Sequence, residues 1–384
     1  MISEDEVKAI ATEHGVPISQ IEKDYVIGWL LWGISKNRAL SNQLVLKGGN
    51  CLRKLYYPET RFSDDLDFTA KTKFGTGQFK NHLNGLCGQV RERSGLEFDL
   101  EQTKVKVTPI SHEGLHAIDG RVYFRGFAGD SSITMRIKFD VSEYEKIVLP
   151  LQTHPLIHGY SDADLCSTDV LAYSLEEVLA EKLRSWIQRT RPRDLFDMAT
   201  IIKSGAIPIN HGQIMNAFLQ KTVYKNIPTA NQEELLYEEK FEVIENSWDS
   251  TIICPRDSRI IAKNAVDLFS DFVETLFSKK TIGLFKGASP QTGFGHYDYR
   301  SGIRESIISA GKAQRLIRMR YRGIDRDIEP YSFRYRLTKG GYGGEYFYGF
   351  DRTRGDTIKS FLLPKVEKVS ILPQIYSPRW LVEF

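Results

Sequence analysis

The sequence predicts an α+β protein: strands and helices sharing one core, then a mainly helical subdomain, then a small β-barrel at the C-terminal end. Three stretches carry that expectation. Leu44 to Phe68 (LVLKGGNCLRKLYYPETRFSDDLDF) reads as an apolar strand, a glycine turn, a short helical piece and a second strand bearing acids. Ser174 to about Phe285 is dominated by helical periodicity. After Leu316, five short alternating strands fall within roughly 70 residues, the spacing of a small barrel.

A chain of 384 residues implies two or three domains, and 41% hydrophobic residues can fill more than one core. A charged fraction of 26% argues against disorder. No apolar run reaches the ~18 residues of a membrane span. The start, MISEDEVKAIATEHG, is acidic and amphipathic, unlike a signal peptide. Cys51, Cys87, Cys166 and Cys254 are scattered, without metal-ligand or disulfide-framework spacing. A reduced cytoplasmic protein with no membrane partner is expected. The net charge of +3 is unevenly spread: Ile303 to Phe384 carries 16 Lys and Arg against 9 Asp and Glu, a net of +7, leaving 36 against 40 elsewhere. A basic tail domain on a nearly neutral body fits an anionic partner or a solvated basic surface.

Taken in order, Ser3 to His14 forms a helix stopped at Gly15. Ile18 to Leu31 continues as an amphipathic helix with a large aromatic face, expected to pack behind the Leu44–Phe68 stretch; Asp24 reads as a capping or packing carboxylate. In that stretch Gly48 and Gly49 break the first strand. Strand alternation places Asp65 and Asp67 on one face and Leu66 and Phe68 on the other, with Asp64 turned away from Asp65. Two parallel carboxylates near a glycine turn suit a hard cation and a phosphate chain. Thr76 to Ser94 forms a helix, and Leu96 to Pro109 and Arg121 to Gly126 alternate as half-buried strands. In Ser132 to Val141, Ile133, Met135, Ile137 and Phe139 form one face, and Asp140 ends the polar one. Asp140 reads equally as a third carboxylate beside Asp65 and Asp67 or as a strand-end acid capping a turn.

Ser174 with Glu177 is a capping-box pattern opening a helix to about Gln188. Lys182 falls within its apolar stripe of Leu175, Val178, Leu179, Leu183 and Trp186, where it either snorkels to the surface or neutralises phosphate or a carboxylate. In the next segment Pro192 suits the first turn of a helix, and Asp194 and Asp197 stand among Arg189 and Arg193, as a salt-bridged junction or as part of a site. Gln213–Thr222, Gln232–Phe241 and Asp257–Lys279 read as helices framing a groove, and the Gly-, Ser- and Pro-rich segment from Lys286 as a linker. A short helix, Ile303 to Ala310, precedes the strands of the barrel, two of which are joined by a turn with Gly340, Gly341, Gly343 and Gly344.

Four runs then stand together: Lys47-Gly48-Gly49-Asn50-Cys51-Leu52-Arg53, Arg61-Phe62-Ser63-Asp64-Asp65-Leu66-Asp67, Glu181-Lys182-Leu183, and Arg189 through Arg193-Asp194-Leu195-Phe196-Asp197. In this combination the chain resembles the AbiEii/AbiGii nucleotidyltransferase toxins, members of the DNA polymerase β-like nucleotidyltransferase superfamily, over roughly residues 1–280. The resemblance implies a mixed sheet with flanking helices over residues 1–205, a helical subdomain over 206–285 and a linker over 286–302. It implies that Asp65 and Asp67 hold Mg²⁺ or Mn²⁺, with Asp140 as the third metal carboxylate. Backbone N–H groups of Gly48 and Gly49 would cradle the phosphates of an NTP, with Lys47, Arg53, Ser63 and Arg193 as further nucleotide contacts. Lys182 would contact the triphosphate, and Asp197 would orient it or assist proton transfer. The resemblance further implies a phage-defence toxin with a cognate antitoxin, transferring NMP to an RNA such as the tRNA 3′ end.

Residues 303–384 resemble a WYL domain, an Sm/SH3-like barrel, through Tyr321, Ile328-Glu329-Pro330-Tyr331, Tyr346-Phe347-Tyr348-Gly349-Phe350 and Phe361 to Val369. Tyr346-Phe347-Tyr348 replaces the name-giving Trp-Tyr-Leu, and Lys359 stands where Arg is usual. An anionic ligand or nucleic acid is the partner this resemblance implies. Two other functions keep the same motifs: a nucleotide-binding sensor or regulator, against which the absence of a helix-turn-helix at the N-terminus counts, and transfer of NMP to a protein.

Overall fold

On the acid-bearing strand, Leu66 and Phe68 are buried while Asp65 and Asp67 are half-buried on the opposite face. The same alternation builds a whole sheet. In the computed structural model, which describes residues 1–73, 76–109, 116–129, 132–225, 227, 232–278, 301–337 and 343–384, seven strands run over β1 Leu44–Lys47, β2 Asp65–Ala70, β3 Lys104–Pro109, β4 His116–Arg125, β5 Thr134–Ser142, β6 Gln152–Pro155 and β7 Asp169–Ala172. Their order is β3-β4-β5-β2-β1-β7-β6. The sheet is mixed: β1 pairs antiparallel with β2 and parallel with β7, while β2 pairs parallel with β5. The chain divides into two compact units, one of residues 1–110, 114–222 and 227–278, the other chiefly of residues 279–384.

Helices α1 (Glu4–His14), α2 (Ile18–Lys36), α3 (Arg38–Ser41), α4 (Gly48–Cys51) and α5 (Thr76–Ser94) belong to the first unit. The second helix runs five residues beyond Leu31 and is buried almost all round rather than on one face, with Tyr25, Trp29, Leu30 and Leu31 fully enclosed. Its polar residues are therefore paired: Glu22 accepts from the backbone N–H of Phe127 and Ala128. α5 packs on the apolar face of the sheet, where Gly120 of β4 leaves room for Phe79 and Leu83.

Two expected strands are corrected. The segment from Leu96 becomes strand only at Lys104, with a single bridge from Phe98 to Phe124 before it. Ile133 stands outside β5 and is 53% exposed, so the buried face of that strand begins at Met135. Strand β6 carries no clear alternation, its four residues being mostly exposed, whereas β7 alternates, burying Val170 and Ala172 but not Asp169 and Leu171.

The helices that follow are α6 (Leu175–Gln188), α7 (Pro192–Ser204), α8 (His211–Tyr224), α9 (Gln232–Leu235), α10 (Glu238–Glu245), α11 (Trp248–Thr251) and α12 (Ala262–Leu276). Ser174 caps α6 by accepting from the Glu177 N–H. The reciprocal half of the capping box is not made, since the Glu177 carboxylate takes the N–H groups of Val148 and Leu149 and the ammonium of Lys221. The helix expected over Gln232–Phe241 is split in two where the Leu235 carbonyl accepts from the Trp186 indole. Among the described residues, no helix is long and apolar enough to cross a membrane.

The second unit holds α13 (Ser301–Lys312) and an antiparallel five-stranded sheet, β8 Arg315–Tyr321, β9 Ile324–Leu337, β10 Gly343–Asp351, β11 Thr357–Leu362 and β12 Val366–Ile375, in the order β11-β10-β9-β8-β12. Ile307, Ile317, Met319, Ile328, Phe347 and Val366 form its core. Phe347, the middle residue of Tyr346-Phe347-Tyr348, is fully buried. Two enclosed acids stand near its surface: Glu329 is held by Tyr331, Arg352 and Arg379, and Asp351 by Arg326 and Lys359. The linker expected over 286–302 lies outside the described residues up to 300, and residues 301 and 302 already belong to α13. Gly340 and Gly341 of the expected turn also lie outside the described residues.

Candidate active site

Register carries the acids into rows across the polar face of the first sheet. Lys47 on β1 stands opposite Asp67 on β2, Asp67 opposite Asp140 on β5, and Asp140 opposite Asp119 on β4. One row away, Asp65 stands opposite Lys138, and Lys138 opposite Arg121. Four carboxylates and three cations thus share one face, because each strand alternates and none slips by a residue.

The glycine turn lies directly over this row. Gly48 has φ +72°, and an added Cβ would collide with Asp67 Oδ2 and stand 3.0 Å from its Cγ. A Cβ on Gly49 would lie 2.8 Å from both Arg61 Nη2 and Ser63 Oγ. Asn50 donates to the Ser63 carbonyl (3.1 Å) and the Asp65 carbonyl (2.7 Å), fastening α4 to the start of β2. The first turn of α4 has no side-chain cap, and the helix widens into a π-helical turn over Leu52–Tyr56; such widened turns are frequent at functional sites.

Burial pushes the Asp67 carboxyl up to about 6; Asp140 and Asp65 add to the rise while Lys47 and Lys182 oppose it. Burial also raises Asp65, aided by Asp64 and Asp140 and opposed by Lys138 and Arg193. Asp140 accepts from Lys138 at 2.6 Å, and the same ammonium stands 3.7 Å from Asp119. Lys47 pairs with Glu145 at 2.5 Å, and Glu145 also accepts from Thr69.

Behind the row lies a buried charge network. Arg61 grips Asp197 with two hydrogen bonds of 2.8 and 2.7 Å. Lys182 stands 2.8 Å from Asp197 and 2.7 Å from Asp194. Asp197 is wholly buried; burial pushes its carboxyl upward, but Arg61 and Lys182 outweigh this and hold it below the usual carboxylate range. Lys182 loses charge preference to burial but regains more from Asp194 and Asp197, so it stays protonated. Its ammonium is thus committed to α7 carboxylates rather than snorkelling outward, close enough to Asp67 to lower that acid.

Arg53 is placed apart from the carboxylates. Its Nε donates to Asp24 at 2.7 Å, its Nη1 to the carbonyls of Pro58 and Thr60, and its guanidinium lies 3.7 Å over the Phe62 ring. Lys54 and Tyr160 complete the shell around Asp24, whose burial would raise it but whose two cations hold it well below the ordinary range. Arg193 is exposed, touches the Thr251 carbonyl at 3.4 Å, and is near enough to Asp65 to lower it. Ser63 is 9% exposed beside Gly49. Asp64 turns away to Gln20 and Lys23.

Among the described residues, no three His, Cys, Asp or Glu side chains are grouped to hold a metal ion by themselves. Asp140, opposite Asp67, accepts from Lys138 through Oδ2, leaving its other oxygen to join Asp65 and Asp67. Two carboxylates from one strand face are nevertheless the usual protein share for Mg²⁺, which takes its remaining oxygens from water and substrate phosphate. The oxygen-only donor set fits a hard cation such as Mg²⁺ or Mn²⁺.

Sequence reading passed over Lys138, Glu145, Asp119 and the clamp made by Arg61. Lys138 shares the polar face of β5 with Asp140, so alternation alone could have found it. Glu145 and Asp119 become neighbours of the site only through register and the loop after β5.

Residues 29–256 match the sequence family described as nucleotidyl transferase AbiEii toxin, type IV TA system. No curated protein matches the chain. Similar solved structures include the nucleotidyltransferase toxin MenT4 of Mycobacterium tuberculosis (18% identity, 72% of this chain and 92% of that one, TM-score 0.48) and a putative nucleotidyltransferase of Helicobacter pylori (16% identity, 70% and 99%, TM-score 0.41). JHP933 of Helicobacter pylori is a third (14% identity, 69% and 94%, TM-score 0.40).

Proposed function

Because the chain belongs to the AbiEii family of nucleotidyltransferase toxins of type IV toxin–antitoxin systems, and is thereby a nucleotidyltransferase, we propose that it transfers NMP from an NTP to the 3′ end of an RNA, such as a tRNA, in a Mg²⁺-dependent reaction. The observation that carries the reading is the row Lys47–Asp67–Asp140 under the Gly48–Gly49 turn, backed by Arg61, Asp197 and Lys182. A cognate antitoxin is the partner implied by the family.

In the reaction, the acceptor hydroxyl gives up its proton to solvent as its oxygen bonds to the α-phosphorus, while the bond to the bridging oxygen breaks and pyrophosphate leaves. Asp65 and Asp67 would hold a divalent cation, which would supply charge neutralisation at the phosphates. Backbone N–H groups at Gly48 and Gly49, where the helix start has no side-chain cap, suit phosphate oxygens. Lys47, which lowers Asp67, and Arg193, which lowers Asp65, contact the nucleotide, with Ser63 at the edge of the turn. Lys182 supplies positive potential from behind Asp67, and Asp197 orients Arg61 and Lys182 rather than taking a proton, since both cations keep it ionised. Arg53 braces the turn through Asp24.

The test is incubation of the purified protein with labelled NTPs, Mg²⁺ and tRNA. Label transfer by the wild type that disappears in Asp65→Ala supports the reading. Equal transfer by both would sink it.

A further inference from the structure

The sheet face that bears the acids does not end at β5. In the next strands outward, Lys104 of the edge strand β3 stands opposite Arg121, and Lys106 opposite Asp119. The row of Asp65 therefore continues as Lys138, Arg121 and Lys104, and the row of Asp67 as Asp140, Asp119 and Lys106. A third row adds Arg136 opposite Tyr123. All share the polar face, because the alternate positions Ile118, Val122, Ile137 and Phe139 are fully buried against the other side.

The cations on this face are of two kinds. Lys138 and Arg121 are tied to Asp140 and Asp119. Lys104, Lys106 and Arg136 are exposed. From Asp65 to Lys104 is three strand spacings, about 14 Å at the usual separation of strands. An exposed edge strand normally carries charge to discourage pairing with another chain, and two lysines on β3 satisfy that need. Edge protection does not account for Arg136, which is exposed on the interior strand β5. Exposed cations with a tyrosine, beginning at a carboxylate pair, are the composition of a track for single-stranded nucleic acid, where cations follow the backbone and an aromatic ring offers a base a stacking surface.

We propose that the polar face of β3, β4 and β5 binds the single-stranded 3′ segment of the RNA acceptor and leads its terminal hydroxyl to Asp65 and Asp67. The inference rests on the RNA-transfer reading above. Lys104, Lys106 and Arg136 contact successive phosphates, and Tyr123 stacks on a base. The ion pairs of Lys138 and Arg121 keep the inner part of the track near neutral, so that the phosphate backbone is drawn to the outer strands while the hydroxyl end reaches the acids.

The experiment compares wild type with Lys104→Glu/Lys106→Glu/Arg136→Glu and with the charge-preserving Lys104→Arg/Lys106→Arg/Arg136→Lys. Each is assayed for transfer to tRNA at varied RNA and salt, for NTP binding, and for thermal unfolding. We expect the reversed variant to unfold at the wild-type temperature and to bind NTP as wild type. Its KM for RNA should rise on the order of tenfold or more, and the log–log salt slope should fall by about 2, at ~0.7 for each lost contact to a single strand. The charge-preserving variant should behave as wild type. If wild type labels tRNA and the reversed variant keeps its KM and salt slope, the track is wrong while the transfer reading stands. Label passing only to protein overturns the track, and no labelling by wild type at all fails the transfer reading itself.

Discussion

A Cβ on residue 48 would collide with Oδ2 of Asp67 and stand 3.0 Å from its Cγ, so the turn and the acid coexist only because residue 48 is glycine. Its φ of +72° is the left-handed region, which costs a side-chain-bearing residue roughly 1–2 kcal/mol. We expect Gly48→Ala to lose about that much stability in urea unfolding. Because the methyl group must displace Asp67, nucleotide transfer should fall on the order of 100-fold, the usual penalty for a displacement of about 1 Å at a reacting centre.

Asp67 couples the site to pH. Its carboxyl is raised to about 6 in the folded protein, from 3.8. Folding therefore favours the protonated acid: its contribution is full below about pH 4 and is lost as pH rises through 6. Asp67→Asn should stabilise the metal-free protein at pH 8 by on the order of 2–3 kcal/mol and change little at pH 4. Urea titrations at the two pH values check this. Cation binding needs the ionised acid, so Mg²⁺ should release protons on binding near pH 6 and much less at pH 8, measurable by calorimetry in buffers of different ionisation enthalpy.

Lys182 should prove structural as well as functional. Removing it leaves Asp194 and part of the Asp197 charge unbalanced in the interior, which typically costs about 3–5 kcal/mol. Lys182→Ala is expected to lower the urea midpoint sharply along with activity. A variant of wild-type stability that lacks activity would show that the ammonium acts on the nucleotide alone.

Arg193 gives the opposite expectation. It is exposed and makes one long contact to a carbonyl, so Arg193→Ala should stay within about 0.5 kcal/mol of wild type. The apparent affinity for NTP should weaken on the order of tenfold, read by equilibrium nucleotide binding.

The first unit ends at residue 278 and has its own sheet and core. A chain truncated after Ser278 should still bind NTP with Mg²⁺, while RNA recruitment or regulation changes. Loss of NTP binding in a folded truncation would contradict this.

Several features were legible before the fold was known because they depend on local geometry. Alternation paired Asp65 with Asp67 and turned Asp64 away, and helical spacing set Lys182 into an apolar stripe. The capping residue Ser174 and Pro192 at a first turn marked α6 and α7. Other features needed long-range contacts. Arg53 reads as a phosphate contact until Asp24, 29 residues earlier, takes its guanidinium. Glu177 reads as half of a capping box until Lys221 and the Val148–Leu149 amides claim it.

By itself, then, the sequence determined which residues share a face, because side-chain direction follows from the period of each element. It set the acids, the glycine turn and the basic strands on polar faces. Only the tertiary structure decided which faces meet. Strand order and register place Lys138 beside Asp65, Asp140 beside Asp67 and Arg121 beside Lys138, and packing of α6 and α7 decides that Lys182 faces carboxylates instead of water. Those choices are fixed by burial summed over the whole sheet and its helices, since a slip of one residue in any strand would turn its apolar face to solvent.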